Sequence, residues 1–302
     1  MSFVSDLING ADNKFDHTSL NALQKVTLRA VVMAFLFYGL AAIEGMIMRT
    51  ASVIPSIPPV YGSPEHYFSI MTVHPIVGIF GSTYQLVFGA FMFLVPFLTK
   101  KPLYSVKLAN WVWLLITVGT ALSWIAAFAW NYAPLYTLYW PLPADTEQFK
   151  TIGGIVFILG VALIMLGTFG FIYNIYATIF ARVGAHQNKT MKELLISGFG
   201  IDGILNLWYK LTGRQPYTKE PALSLPVVAI FRGTVDTFLD ALIILGAGIL
   251  VLVYLFADLG GFNLDVKSVD ALLYKNWFWW GLDLVADGLV LIYVAGSWYL
   301  LA

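Results

Sequence analysis

Six stretches of this 302-residue chain run for more than twenty mostly apolar residues, at about 26–48, 67–98, 108–132, 151–181, 225–256 and 277–301. Each is long enough for a helix to cross a hydrocarbon layer of about 30 Å. Charged residues make up only 11% of the chain, whereas soluble domains carry roughly a quarter, so little of this surface can face water. The expected fold class is all-α, a polytopic membrane protein with six transmembrane helices, spans I to VI. Its solvent is lipid, and an integral membrane location follows.

Charge placement gives an orientation. With the N-terminus inside, the tail and the II–III and IV–V loops carry Lys14, Lys25, Arg29, Lys100, Lys101, Lys107, Arg182, Lys189, Lys192, Lys210, Arg214 and Lys219. The other side holds Arg49, Lys150, Lys267 and Lys275, and Arg232 lies inside span V. Basic loops resist translocation, which predicts cytoplasmic N- and C-termini in a prokaryotic plasma membrane. Residues 1–25 are polar, lack a short apolar core with a cleavage site, and read as a retained cytoplasmic tail ahead of a membrane domain over 26–302. The cytoplasmic IV–V loop, about 182–224, mixes Leu, Ile, Phe and Trp with Lys over Met191–Leu211, which predicts an interfacial helix. Pro55, Pro58, Pro59 and Pro64 in the I–II loop and Pro134, Pro141 and Pro143 in the III–IV loop predict rigid connections packed as a cap on the outer face. The Trp and Tyr residues near these loops read as interfacial belts.

Composition narrows the chemistry. The formal net charge is zero, so no clustered basic excess exists to bind nucleic acid. Cysteine is absent, which excludes disulfides, thiolate ligands, iron–sulfur clusters and covalently attached haem. Any metal or haem must use His, Met or carboxylates.

Ionisable residues inside spans are costly and mark candidate sites. His74 lies about 10 Å below the outer boundary of span II. Pro75 and the small residues Gly78, Gly81, Ser82 and Gly89 follow it, leaving room for a flat macrocycle. A haem ligand fits that spacing. So does a histidine satisfied by a neighbouring serine or carbonyl, with small residues serving helix packing.

Asp236 with Asp240 and Asp283 with Asp287 are i,i+4 pairs at comparable depths on antiparallel spans, so the two pairs are expected to face one another. Four such carboxylates could serve proton transfer, hold a metal through Asp283, or anchor Arg232. Arg232 paired with Asp236 one turn on, with the rest bonded to neighbouring helices or a partner, is the plainer alternative. Glu44 and Arg49, five residues apart on span I, are expected to have separate partners. Arg49 sits where a haem propionate or a lipid headgroup would suit it.

These residues carry a resemblance. Span II, from Tyr67 through Thr72-Val-His74-Pro to Phe88-Gly-Ala-Phe91 and Pro96, resembles the second helix of the haem–copper oxidase catalytic subunit. Tyr139-Trp-Pro-Leu-Pro143, Asn174-Ile-Tyr-Ala-Thr178-Ile179 and Phe278-Trp-Trp-Gly281 are similar to its stretches after helix III, at the end of helix IV and at the start of helix VI. The resemblance implies a haem of unspecified type, with His74 as an axial ligand of the low-spin haem iron.

Two departures matter. Leu282-Asp283-Leu284-Val285-Ala286-Asp287 stands where the family has a copper-ligating histidine on helix VI, so copper on this chain is in doubt. The family also continues through helices VII–XII, which carry the remaining His ligands. The expectation is the N-terminal half of a split terminal-oxidase subunit, working with a second integral-membrane chain and other respiratory subunits. A haem-poor accessory subunit on the same scaffold, or a proton-coupled transporter, are the alternatives.

Overall fold

A computed structural model describes residues 20–54, 64–182 and 187–301, without side-chain detail at 64, 286 and 290–301. Every regular element among the described residues is helical. Helix α1 is Ala22–Val53, α2 spans Glu65–Thr99, α3 is Val106–Ala129, α4 is Thr151–Phe180, α5 is Met191–Gly198, α6 is Ile201–Leu211, α7 is Leu225–Leu259 and α8 is Ala271–Leu301. Helices α1, α2, α3, α4 and α7 are long and apolar enough to cross a membrane. The sixth expected span falls within α8. Most of the expected tail lies outside the described residues, yet Ala22–Lys25 already belong to α1. Asn21 starts that helix by accepting from Gln24 N at 2.9 Å while Gln24 Oε1 accepts from Asn21 N at 2.9 Å, so two end donors are satisfied reciprocally.

Neighbours in sequence pack as neighbours in space: α1 on α2, α3 on α4, α4 on α7 and α7 on α8, with α2 the most enclosed. Small residues set the close approaches. A Cβ on Gly119 of α3 would stand 2.5 Å from Gly160 O of α4, and one on Gly89 of α2 would stand 2.6 Å from Ala30 Cβ of α1. With no hydrophobic drive between helices in lipid, such backbone contact is what packs them.

The Asn174–Thr178 motif ties the loop before α3 to the end of α4. Asn174 accepts from Ser105 N at 3.0 Å and donates to Ser105 O at 2.8 Å, while Thr178 Oγ1 accepts from Tyr104 N at 3.0 Å. Beside it the Lys101 ammonium, almost wholly buried, donates to the carbonyls of Ile179 at 2.5 Å and Ala181 at 2.7 Å. A cation is well placed at those orphaned carbonyls, the negative end of the helix dipole.

The III–IV connection does pack as a cap. Tyr132 and Trp140, expected in interfacial belts, are buried in it: Tyr132 Oη donates to Pro143 O and Trp140 Nε1 to Val266 O, both at 2.8 Å. Pro55, Pro58 and Pro59 lie outside the described residues. The single interfacial helix expected over Met191–Leu211 is two helices, broken at Gly200, whose φ of 70° only glycine adopts without strain.

Candidate functional site

The site is built where α1 and α2 touch. His74 closes the first, α-helical part of α2, Pro64–Pro75, and a π-helical segment follows over Ile76–Tyr84 before the α-helix resumes at Gln85. Pro75 has no N–H to donate to the preceding turn, and Thr83 Oγ1 donates five residues back, to Gly78 O at 3.1 Å. π segments inside helices recur at functional sites because they re-aim side chains.

The His74 ring crosses to α1. Nδ1 lies 3.0 Å from Ala41 O, and because a carbonyl only accepts, Nδ1 carries the proton there. In the neutral ring Nε2 then keeps a free lone pair. Gly45 lies one turn beyond Ala41, and a Cβ on it would be 3.3 Å from His74 Cε1, so the ring rests on a bare stretch of helix. The His74 side chain is 36% exposed, which leaves part of the ring uncovered by this chain.

Glu44 flanks the ring from the buried side. Its Oε1 accepts from Trp124 Nε1 of α3 at 2.8 Å, and its buried Oε2 finds no donor and lies 4.0 Å from His74 Nδ1. Arg49 is exposed near the end of α1, and the expected separation of Glu44 from Arg49 matches the partner Glu44 takes. Thr72, two residues before His74, accepts from Leu135 N at 3.1 Å, fastening the III–IV connection to the turn that bears His74.

A haem axial ligand requires one imidazole with a free nitrogen, oriented by a bond to its other nitrogen. His74 meets that requirement. A metal cluster is a different matter: among the described residues no three His, Cys, Asp or Glu side chains gather as a ligand set. Asp283, expected as a metal ligand, has only Asp287 for company on its own helix.

The two aspartate pairs do not converge, against expectation. Asp236 and Asp240 are buried, whereas Asp283 and Asp287 are exposed. The reason is which face of α8 meets α7. Gly281, Val285 and Gly288 are buried, and a Cβ on Gly281 would be 2.8 Å from Ile243 Cγ2 while one on Gly288 would be 2.8 Å from Gly233 O. At about 100° per residue, Asp283 points away from Gly281 and Val285, while Asp287 points away from Val285 and lies about 100° around from Gly288.

Arg232 forms an ion pair with Asp236 on its own helix. Asp240 accepts instead from Tyr84 Oη of α2 at 2.9 Å. Trp124 and Tyr84 are the polar partners that the sequence did not announce. Both bond across helices, and no spacing rule along one helix finds such pairs.

The sequence matches the Cytochrome C and Quinol oxidase polypeptide I family over residues 25–302. It is 30% identical over 176 residues to the Cytochrome c oxidase subunit 1 homolog of Agrobacterium tumefaciens (strain T37), covering 50% of this chain and 28% of that protein. It is 29% identical over 182 residues to Cytochrome c oxidase subunit 1 of Rhodobacter capsulatus, covering 54% of this chain and 30% of that protein. A third relative, Cytochrome c oxidase subunit 1 homolog, bacteroid, of Bradyrhizobium diazoefficiens, is 31% identical over 173 residues, covering 52% of this chain and 28% of that protein. The matched stretch thus spans less than a third of the length of each relative. With the family match running over nearly the whole sequence, the chain belongs to the haem–copper oxidase subunit I family.

Proposed function

We propose that this chain belongs to the catalytic subunit of a membrane terminal oxidase and that His74 is an axial ligand of its low-spin haem. One observation carries the reading: the His74 ring is fixed through Nδ1 to Ala41 O and rests against Gly45, with Nε2 free and part of the ring uncovered. Bound there, a haem would supply one-electron storage and transfer. His74 would hold and orient it, Glu44 and Trp124 would close the buried side, and Arg49 would pair with a propionate.

The remaining roles follow from charge and exposure. Further membrane helices of the assembly, bearing the other His ligands, would cover the face of α8 that carries Asp283 and Asp287, since carboxyl groups left against lipid are costly. Asp236 and Asp240 line α7 where protons would move inward, and Asp283 and Asp287 would join that traffic only at the interface with those helices. The bacterial relatives support a prokaryotic plasma membrane, and the excess of Lys and Arg on one set of loops supports an orientation with the termini and the 182–224 loop on the cytoplasmic side. Other subunits of a respiratory complex complete the assembly.

The absence of an imidazole across Leu282–Asp287 favours a second reading, a haem-poor accessory subunit on the same scaffold. Reduced-minus-oxidised optical spectra of the purified complex, before and after His74→Ala, decide between them. Loss of the low-spin haem band is the expected result. An unchanged band overturns the ligand assignment.

A further inference from the structure

Tyr84 and Asp240 join α2 to α7 deep in the bundle. Tyr84 lies fifteen residues from the end of α2 at Thr99 and Asp240 fifteen residues from the start of α7 at Leu225, about 22 Å in each case. Both side chains are fully buried, and Tyr84 Oη donates to Asp240 Oδ2 at 2.9 Å. The other carboxyl oxygen, Oδ1, is buried and meets no donor. Phe80 packs edge-on against the Tyr84 ring at 5.0 Å between centroids, and Phe88 is tilted against it at 4.7 Å.

The nearby polar groups are already engaged. Arg232, one turn before Asp236 and two before Asp240, gives its charge to Asp236. Thr237 Oγ1 donates to Gly233 O at 2.9 Å and Thr234 Oγ1 to Phe231 O at 2.7 Å. Tyr176 of α4 bonds to Thr234 and lies near Arg232 and Asp236. Asp240 is therefore a carboxyl with one oxygen tied down, one oxygen bare, and its helix's arginine taken by another aspartate. A proton on Oδ1 is the one addition that leaves this pair without net charge in an apolar setting, where unpaired charge is costly.

We infer that Asp240 is a proton-holding site within the membrane domain, that it exchanges its proton toward the α7 N-terminal side past the Arg232–Asp236 pair, and that Tyr84 is its positioning residue. Arg232 is half exposed and lies two helical turns, about 12 Å, before Asp240 on the way to the start of α7. Loading adds one proton to Oδ1 and converts carboxylate to carboxylic acid. Unloading reverses it, no electron moves, and Tyr84 keeps its O–H throughout. Asp236, held by Arg232, is the gatepost and not the carrier. This deepens the function proposed above and rests on it for the use to which the proton is put.

The test is infrared difference spectroscopy of the full chain with its copurifying partners in lipid nanodiscs, stepped between acid and alkaline buffer in light and heavy water. The wild type should show the C=O stretch of a buried carboxylic acid, shifting in heavy water and on isotope labelling of aspartate. Asp240→Asn should abolish it, Asp236→Asn should retain it, and Asp240→Glu should restore it at a displaced frequency. Tyr84→Phe, which preserves the ring packing, should shift it by removing the donor to Oδ2. A wild type without the band, a band unmoved by aspartate labelling, or one persisting in Asp240→Asn overturns the site. A band unmoved in Tyr84→Phe overturns the role of Tyr84. Haem content read on the same samples separates the two ideas: a carboxyl band without haem supports the site and counts against the oxidase reading, whereas haem without the band overturns the site alone.

Discussion

Gly45 offers a way to disturb His74, the proposed haem ligand, without replacing it. In Gly45→Ala the new Cβ stands 3.3 Å from His74 Cε1 and 4.0 Å from both ring nitrogens, inside the comfortable carbon–carbon range of about 3.5–4.0 Å. The ring must give by a few tenths of an ångström. It cannot slide freely, because Nδ1 is held 3.0 Å from Ala41 O on the same helix. Moving it stretches a bond worth about 1 kcal/mol, and disturbing the partner that orients a metal-bound histidine costs about 10–100-fold in affinity, or ~1.4–2.7 kcal/mol. The helix responds in the opposite sense, since alanine in place of glycine inside a helix is favourable by about 0.5–1 kcal/mol. Gly45→Ala should therefore melt no lower than wild type yet bind haem about tenfold more weakly. Gly45→Val, with two further methyls against the ring, should approach the haem loss of His74→Ala. Haem-to-protein ratio, the reduced-minus-oxidised spectrum and circular-dichroism melting are read on the same preparations. A Gly45→Val protein with full haem content and an unmoved band would falsify the placement of the ligand.

Two further outcomes test the scaffold. Burial pulls the Lys101 pKa from 10.5 down to about 8, so between those values the unfolded chain holds a proton that the folded chain sheds. Stability should rise with pH through that window by on the order of 1–3 kcal/mol and be flat below it as far as this group is concerned. Lys101→Met should erase the slope in melts taken across the window, and a slope that persists would assign it to another group. At the α3–α4 contact, Gly119→Ala would press a Cβ to 2.5 Å from Gly160 O and 2.9 Å from Ile164 Cγ1, costing about 1–3 kcal/mol through overpacking. Gly39→Ala, with nothing within 4 Å, is the control that should stay neutral or gain, and equal melting of the two variants would argue against backbone contact between those helices.

How far the sequence could be read depended on which coordinate was asked for. Hydropathy reports length and depth, so the spans emerged with boundaries close to those observed: span IV, expected over 151–181, is Thr151–Phe180. Depth alone also put the two aspartate pairs side by side, and that step failed because it ignored azimuth. The missing signal was present in the sequence, since Gly281, Val285 and Gly288 mark the packing stripe of α8 and exclude Asp283 and Asp287 from it. Met191–Leu211 misled for a related reason. Apolar periodicity carries on across Gly200, and only the positive φ observed there shows that the chain turns. Thr72, Asn174 and Thr178 entered as marks of resemblance, and their bonds to Leu135, Ser105 and Tyr104 give those marks a physical meaning as clamps between helices and loops.

The Tyr84–Asp240 bond was beyond such reading, because it depends on where α2 changes its winding. An α-helix turns about 100° per residue, so side chains ten residues apart have a fixed angular relation. A π-helical stretch takes more residues per turn and breaks that relation, and here it occupies the interval between His74 and Tyr84. The widened turns are thus what lets one helix aim an imidazole at α1 and, ten residues on, a phenol at α7. Pro75 stands at the junction, where a missing N–H makes the change of winding least costly. The ligand that would hold an electron carrier and the residue that positions a proton site are therefore set by a single device in α2, and the two side chains would be coupled through its register rather than through contact.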